Sequence, residues 1–419
     1  MGNEASDDRA EGRSDGGGGG GGAEWSDAGS GGAERADGGR RDPQDPQDRR
    51  DPQDPQDPQD RRDPQDRRGP QDPQDPQDRR GRPSWWSAFR HSPFFSATVV
   101  VLIISAGAGL FAGSYTYAFA NPTPHRIPTA VVLPDHGTPT EKAFVNGMEK
   151  ALHASLRLHL YPTYPRAREA VEEQTVFAVL RARGRGVELD VSGASGASVA
   201  QVLTEAAPKV GRALGMPVLV RDVNPLQPGD PRGLAIFYIS LAAVVIGFIG
   251  AIQLSVHARA LEPGERIAFT VAYALLGGFA IAAIVDWGLG ALDLPFLESW
   301  MILALTMFTS GMVFSMFNVL FGRWALIPTW GLMVLLGNPS SGGAVSWPLL
   351  PSLLGHIGRW LPPGGSVNAQ HTAVYFRGHQ HAFPFLVLAA WALLGCAVFW
   401  TWRHRHPGGR ETPLRRPER

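Results

Sequence analysis

After about residue 90 the chain contains six apolar runs, five of which follow one another after residue 232. Five of the six runs have about the 20 residues that an α-helix needs to cross a bilayer. The fifth run would form a helix of only roughly 20 Å, against a hydrocarbon core of about 30 Å, and Pro328 interrupts it. The pattern predicts an α-helical multi-pass membrane protein with six transmembrane helices, at residues 94–120, 233–255, 267–285, 299–321, 324–336 and 382–402.

The segment just before the first run is aromatic and basic. Trp85 and Trp86 precede Arg90, a composition typical of a membrane interface. Residues 118–120 resemble a signal-peptidase site, but the polar region and the apolar core before them are both too long for a cleaved signal peptide. We therefore expect residues 83–120 to form an interfacial segment followed by a membrane-anchoring helix.

Residues 121–232 alternate between strand-like and helix-like patterns. Val199, Leu203, Ala206 and Val210 recur at steps of three and four, which gives the last helix one core-facing side. The alternation predicts a small α/β domain between the first and second transmembrane helices. Its predicted strands are 127–133, 157–161, 175–181, 186–191 and 217–223, and its predicted helices are 140–155, 166–173 and 198–214.

The N-terminal part of the chain has almost no apolar residues. Residues 1–41 are rich in Gly, Asp and Ala, and a DPQ/DRR triplet repeats over residues 42–80. Such a segment buries too little surface to offset its ordering entropy, so residues 1–82 are predicted to be disordered. The repeat could serve as a tether that binds a partner or lipid, or simply as a spacer.

Composition excludes several classes of protein. The single cysteine, Cys396, excludes an intrachain disulfide or a cysteine-built metal site. The three lysines lie in the α/β domain, so the chain has no GxxxxGK[ST] phosphate loop. A net charge of zero does not indicate nucleic-acid binding. We expect neither a cofactor nor a metal ion.

The distribution of arginines predicts the orientation in the cell membrane. Basic residues precede the first helix and fill the tail at 404–419, so both termini are expected in the cytoplasm, which requires an even number of spans. Residues 233–403 then contain five helices, and residues 121–232 are extracytoplasmic. Loop 256–266 carries Arg259 and Arg266 on the inside, and loop 286–298 carries only acids on the outside.

The outer loop at 337–381 combines helix-breaking residues with two short apolar segments, 349–361 and 366–376. Each segment is too short to span, so we expect helices that lie in the outer interface or dip back into the membrane. They could form an outer gate, a lipid-facing shelf or an ordered cap with no moving part. Arg359 and Arg377 could bind anionic headgroups or extend along apolar surface to water. The candidate gate residues are Gly342, Gly343, Pro362, Pro363, Gly364, Arg359 and Arg377.

No constellation of residues supports an enzyme. The SGASGAS sequence at 192–198 lacks the Gly that follows two residues after the nucleophile in an elbow motif. The outer-loop histidines His356, His371, His379 and His381 have no carboxylate or thiol nearby in sequence to complete a metal site. The membrane helices contain essentially no charged residue, which disfavours proton-driven antiport. Hydroxyl residues of the fourth helix are expected to bond neighbouring helices.

Two stretches carry a family resemblance. DVNPLQPGDPRGLAIFYISLAAVVIGFIGAIQL at 222–254 and NPSSGGAVSWPLLPSLLGHIGRWLPPGGSVNAQHTAVYF at 338–376 resemble the ABC-2-type permease superfamily, in particular its phage-infection-protein-like branch from Gram-positive bacteria. The likeness covers about residues 94–403. It implies a permease half that dimerises and exports lipophilic compounds, driven by a separate P-loop ATPase. The family's coupling helix would fall on 256–266, with Arg259, Glu262, Glu265 and Arg266 as candidate contacts.

A second interpretation is a non-transporting surface protein, such as an envelope scaffold, a surface receptor or an accessory to secretion. In that case the α/β domain would be the working part and the helices its anchor. Transport predicts that residues 337–381 pack across a dimer interface and that an ATPase co-purifies. A scaffold predicts tolerance to changes at 342–343 and 362–365.

Overall fold

A computed structural model describes residues 89–90, 92–132 and 138–406. The predicted disordered segment at 1–82, the tryptophans before the first helix and all but the first residues of the tail at 404–419 lie outside the described residues.

The first half of the described chain is one long helix followed by the predicted α/β domain. Every predicted element of the domain forms, with ends within a few residues of those expected. The elements are α1 (Pro93–Phe119), β1 (Ile127–Val132), α2 (Pro139–Leu152), β2 (Leu156–Tyr161), α3 (Tyr164–Glu172), β3 (Ala178–Arg183), β4 (Gly186–Val191), α4 (Ala197–Leu214) and β5 (Val218–Asp222).

The domain has three layers around a five-stranded sheet of order β2-β1-β3-β4-β5. The β3–β4 pair is antiparallel and the other neighbouring pairs are parallel. Alternate residues of β1 face opposite sides, so that Ile127 and Val131 pack with α2 and α4 while Ala130 packs with α3. Burial on both faces explains why this strand is apolar along its whole length.

The second half of the chain is helical. Its elements are α5 (Ala235–His257), α6 (Pro263–Ala283, continued by a π-helical turn at Ile284–Gly288), α7 (Phe296–Phe321), α8 (Leu326–Trp330, continued by a π-helical segment at Gly331–Gly337), α9 (Ser352–Ile357), α10 (Pro362–Tyr375) and α11 (Phe383–Arg405). Short 3₁₀ turns occupy Gly322–Trp324, Trp347–Leu349 and Gly358–Trp360.

Five helices of the described chain are long and apolar enough to cross a membrane: α1, α5, α6 with its π turn, α7 with the turn after it, and α11. These candidate spans indicate a multi-pass membrane protein in contact with a lipid bilayer. The fifth predicted helix, at 324–336, is shorter than these five. Leu326–Gly337 has a length of about 18 Å at 1.5 Å per residue, and an irregular segment at 338–346 follows it.

Helix α7 is the centre of the helical region, and α1 is its least packed member. In the most apolar stretch of α7, 72% of the residues are buried, against 0% in α1. The small residues Gly247, Gly278 and Gly395 bring α5, α6 and α11 against α7. Because α1 has few neighbours among the described residues, most of its apolar surface is open to lipid.

The predicted outer loop forms a helical hairpin, defined here as Ser352–Tyr375. It consists of α9, a 3₁₀ turn, Leu361 and α10. Both predicted short helices are present, but α10 begins at Pro362 and not at residue 366. Proline is favoured in the first turn of a helix, where no amide donor is needed, so the Pro-Pro-Gly-Gly sequence starts this helix and does not separate two segments.

Loop 256–266 contains no separate helix. Helix α5 ends at His257, α6 begins at Pro263, and Ala258–Glu262 form a turn between them. The expected coupling helix at this position is therefore not formed. Pro263 starts the next helix, which leaves too few residues for another one.

Candidate functional site: a cleft between the α/β domain and the hairpin

The α/β domain sits against one end of the helical region, called here the domain end. Gln227, just after β5, exchanges two hydrogen bonds with the backbone of Asp293 ahead of α7, with an amide-to-carbonyl distance of 3.2 Å and a backbone-to-amide distance of 2.6 Å. The opposite end, called the far end, holds the α5–α6 turn and the Gly322–Trp324 turn. The neighbouring helices therefore run antiparallel.

Ser198 joins the domain to the segment ahead of the hairpin. Its hydroxyl lies 2.9 Å from the Ser346 hydroxyl and accepts the Ser346 backbone amide, also at 2.9 Å. Nearby, the Phe177 and Trp347 rings are 5.8 Å apart. The N-cap residue of helix α4 is Gly196, and no side chain caps the start of this helix. Ser198 is therefore free to bind the other part of the molecule.

The hairpin penetrates deeply between the long helices. The Ser366 hydroxyl is 2.8 Å from that of Thr306, ten residues from the start of α7 and so about 15 Å along that helix. Further along α10, the Gln370 amide donates to the Ser299 carbonyl at 2.9 Å. Hydroxyls of α7 therefore bond neighbouring elements, as the sequence indicated.

Three of the candidate gate residues form the buried tip of the hairpin: Pro362, Pro363 and Gly364. The tip leaves no room for larger groups, because a Cβ on Gly337 would lie 2.6 Å from Pro363. A Cβ on Gly364 would meet the carbonyl of Gly358. The end of α8 and the start of α10 thus meet inside the helical region.

A cleft of about 1990 Å³ lies between the α/β domain and the hairpin. The domain contributes residues of the 193–205 segment, the helical region contributes the 340–348 segment, and α10 contributes Asn368, His371 and Thr372. The candidate gate residues Gly342, Gly343 and Arg359 line this cleft. Gly342 has φ +83°, which favours glycine. Arg377 is exposed and lies outside the cleft lining.

His371 is a cleft residue whose surroundings the sequence did not reveal. Burial lowers its pKa to about 4, although the Ala194 carbonyl and the charge of Asp230 favour the protonated ring. The imidazole is therefore neutral at pH 7. Among the described residues, no group of three His, Cys, Asp or Glu side chains is placed to hold a metal ion. The serines at 192–198 support the loop: the hydroxyls of Ser192 and Ser195 are 2.6 Å apart.

The candidate coupling residues lie together at the far end. Glu262 and Glu265 form a capping box at the start of α6, in which the Glu265 carboxylate accepts the Glu262 amide at 2.9 Å. Arg266 donates to the Ala258 carbonyl at 3.1 Å. Arg259 is exposed in the turn. Three of the four residues thus stabilise the turn itself, and Arg259 is the one best placed for an external contact.

No protein-family model matches this chain, and neither a curated protein nor a solved structure does.

Proposed function

We propose that this chain is the membrane subunit of an exporter of amphipathic compounds, with six membrane crossings, an extracytoplasmic α/β domain and cytoplasmic termini. It would act as an ABC-2-like permease, as a homodimer with a separate P-loop ATPase. One observation carries the proposal: a helical hairpin enters the helical region from the domain end and buries a Pro-Pro-Gly tip beside the end of the short helix α8.

Broken helices at membrane depth are a costly arrangement. Backbone groups at a helix break have no water to bond in a hydrocarbon core, so such breaks are tolerated only where protein or a water-filled cavity surrounds them. In transporters they mark the binding site and the parts that move. A simple anchor would need neither the hairpin nor a cleft of this size above it.

The course of α8 supports six crossings. Its first residue, Leu326, follows the far end of α7. Its Leu335 carbonyl accepts the Ser114 hydroxyl at 2.6 Å, only five residues before α1 ends at the domain end. By Ser346 the chain bonds the α/β domain. A short helix followed by an irregular segment would therefore complete the sixth crossing, with the positively charged flanks on the cytoplasmic side.

Co-purification tests the coupling to an ATPase. The tagged full-length protein is purified in mild detergent from its own cells, and the proteins that accompany it are identified by mass spectrometry. We expect a stoichiometric P-loop ATPase, lost in Arg259→Glu at the exposed turn and retained in Arg377→Glu at the exposed opposite end. Envelope or secretion proteins without an ATPase would contradict the permease and favour the scaffold alternative.

A reversible crosslink tests the link between the domain and the hairpin. Because the hydroxyl oxygens of Ser198 and Ser346 are 2.9 Å apart, cysteines at both positions are close enough for a disulfide. With Cys396→Ser removing the native thiol, we expect oxidation of Ser198→Cys/Ser346→Cys to lower ATP hydrolysis by the purified complex at least fivefold, and a reductant to restore it. The single-cysteine variants are the controls. Unchanged hydrolysis in the crosslinked protein would contradict relative motion of the two parts.

A further inference from the structure

The charges that line the cleft are unequal. Four arginines face it against two carboxylates among the described residues: Arg126, Arg157, Arg232 and Arg359 against Glu205 and Asp222. Asp222 already accepts the backbone amides of Gly193 and Asn224, each at 3.1 Å, and Glu205 accepts the Gln201 amide at 3.0 Å. The cleft therefore carries a surplus of positive charge.

The four arginines have no carboxylate partner among the described residues. Within the described part of the chain, none of their guanidinium groups makes an ion pair or a hydrogen bond, and all four residues are exposed. Three other arginines of the sheet behave differently, since Arg181, Arg183 and Arg221 all bind Glu188. A concave surface lined by one sign of charge concentrates ions of the opposite sign. Neutral His371 neither adds to nor cancels this field.

Large aromatic surfaces lie next to the charge. Trp347 and Trp360 also line the cleft and are 47% and 52% exposed, so about half of each residue's surface is uncovered. The Arg359 guanidinium carbon is 5.7 Å from the centre of the Trp360 ring, and that ring packs against Phe383 with centres 5.0 Å apart. A positive charge and an exposed apolar surface thus stand side by side.

We infer that the cleft binds an anionic amphiphile, with a phosphate or carboxylate group on its arginines and an apolar chain along Trp347, Trp360 and Phe383. The inference rests on the proposed function, because it names the class of compound that the exporter would handle. Arginine suits such a headgroup because its planar donors match the oxygens of phosphate and carboxylate. Arg359 lies beside the aromatic surface, so it would contact the ligand where the headgroup meets the apolar chain.

The sequence supplies a matched control. Gly-Arg-Trp occurs at 322–324 and again at 358–360, and both copies form a 3₁₀ turn. In each copy the arginine lies over the following tryptophan, at 5.4 Å for Arg323 and 5.7 Å for Arg359. Only the second copy lines the cleft, and the first lies at the far end. Loss of the same charge in the same local structure can therefore be compared at the two positions.

Binding is measured on the full-length protein in dodecyl maltoside by native mass spectrometry. The probes are lysophosphatidylglycerol, lysophosphatidylcholine with the same acyl chain, and glycerol phosphate without a chain. We expect lysophosphatidylglycerol to bind at least tenfold more tightly than either of the others, and more weakly as salt screens the arginines. Arg359→Gln should weaken its binding about tenfold and Arg323→Gln less than twofold.

Three outcomes would overturn the inference. Equal affinity for the two lysolipids would contradict an anion-binding site in the cleft. Equal losses of lysophosphatidylglycerol affinity in Arg359→Gln and Arg323→Gln would contradict it as well. Equal binding of glycerol phosphate would instead assign the cleft to soluble phosphate esters. If Arg359→Gln does not give a monodisperse protein, Arg232→Gln replaces it with the same expectation. Because no step requires an ATPase or transport, failure of the binding site and failure of the export function can be told apart.

Discussion

The α/β domain buries the carboxylates of Glu188 and Asp190, whereas every buried polar residue from Ser240 to Thr372 in the helical region is neutral. In the sheet, Glu188 lies 2.9 Å from Arg181, and the arginines around it extend to water. The helical region instead uses hydroxyl and amide groups that bond backbone carbonyls. The difference follows from solvent. Arginines at a wet surface can neutralise a buried carboxylate, and the interior of a bilayer offers no such route.

Close backbone packing is the other means by which the helical region holds its hairpin. A Cβ at residue 358 would meet the carbonyl oxygen of Ser340, so we expect Gly358→Val to destabilise the protein by about 3 kcal/mol, the upper range for overpacking. Thermal unfolding of the purified protein in detergent measures the loss. Gly331→Ala is the control, since nothing lies within 4 Å of its added methyl group, and it should change stability by less than about 1 kcal/mol. Similar effects of the two substitutions would mean that the tight hairpin contact is not needed.

Removal of the charge of Glu188 tests how much its ion pairs stabilise the α/β domain. Glu188→Gln leaves Arg181, Arg183 and Arg221 without their shared partner, and we expect a loss of about 2 kcal/mol at pH 7. The value is lower than for a fully buried pair, because these arginines are 29%, 65% and 49% exposed. Glu205→Gln, on an exposed helix face, should have almost no effect. A comparable loss in Glu205→Gln would show that negative charge in general, and not the buried ion pairs, stabilises the domain.

The same cluster predicts a dependence of stability on pH. Burial raises the pKa of Glu188, but hydrogen bonds and charges from Arg181 and Arg183 outweigh it, so the pKa lies below the usual 4.5. A lowered carboxyl pKa stabilises the folded state above the unfolded pKa, and the contribution is lost as the pH falls through the folded value. The difference in unfolding temperature between wild type and Glu188→Gln should therefore shrink below about pH 4.5. A constant difference from pH 7 to pH 3 would contradict this account.

The hydrogen bonds between neutral groups in the helical region are expected to contribute less to stability than the ion pairs of the domain. Thr306→Val removes the hydrogen-bond partner of the buried Ser366 hydroxyl, and we expect a loss of about 1 kcal/mol. The double variant Thr306→Val/Ser366→Ala removes both polar groups and should recover part of the loss, since no buried hydroxyl is left without a partner. Additive losses in unfolding experiments would show that the two hydroxyls act independently.

Local patterns predicted the α/β domain well because its elements depend on near neighbours. Strand β1 is apolar throughout, and the spacing of Val199, Leu203, Ala206 and Val210 fixes the buried face of α4. The five long helices follow from length and apolar composition alone. The start of α10 was misplaced because Pro-Pro-Gly-Gly fits either a break or a first turn. In the structure this sequence forms the first turn of α10, and Ser366 in that helix bonds Thr306, sixty residues earlier in the chain.

The sequence by itself determined the classes of structure: apolar runs for membrane helices, alternating patterns for the small domain, and one cysteine that excludes a disulfide framework. Tertiary structure alone decided the candidate site. Ser198 and Ser346 are 148 residues apart in the chain, and the arginines of the cleft come from the α/β domain, the linker before α5 and the hairpin. Periodicity reports which face of an element is buried, because that depends on local geometry. It does not report which distant segment covers the face, because that depends on how separate elements pack together.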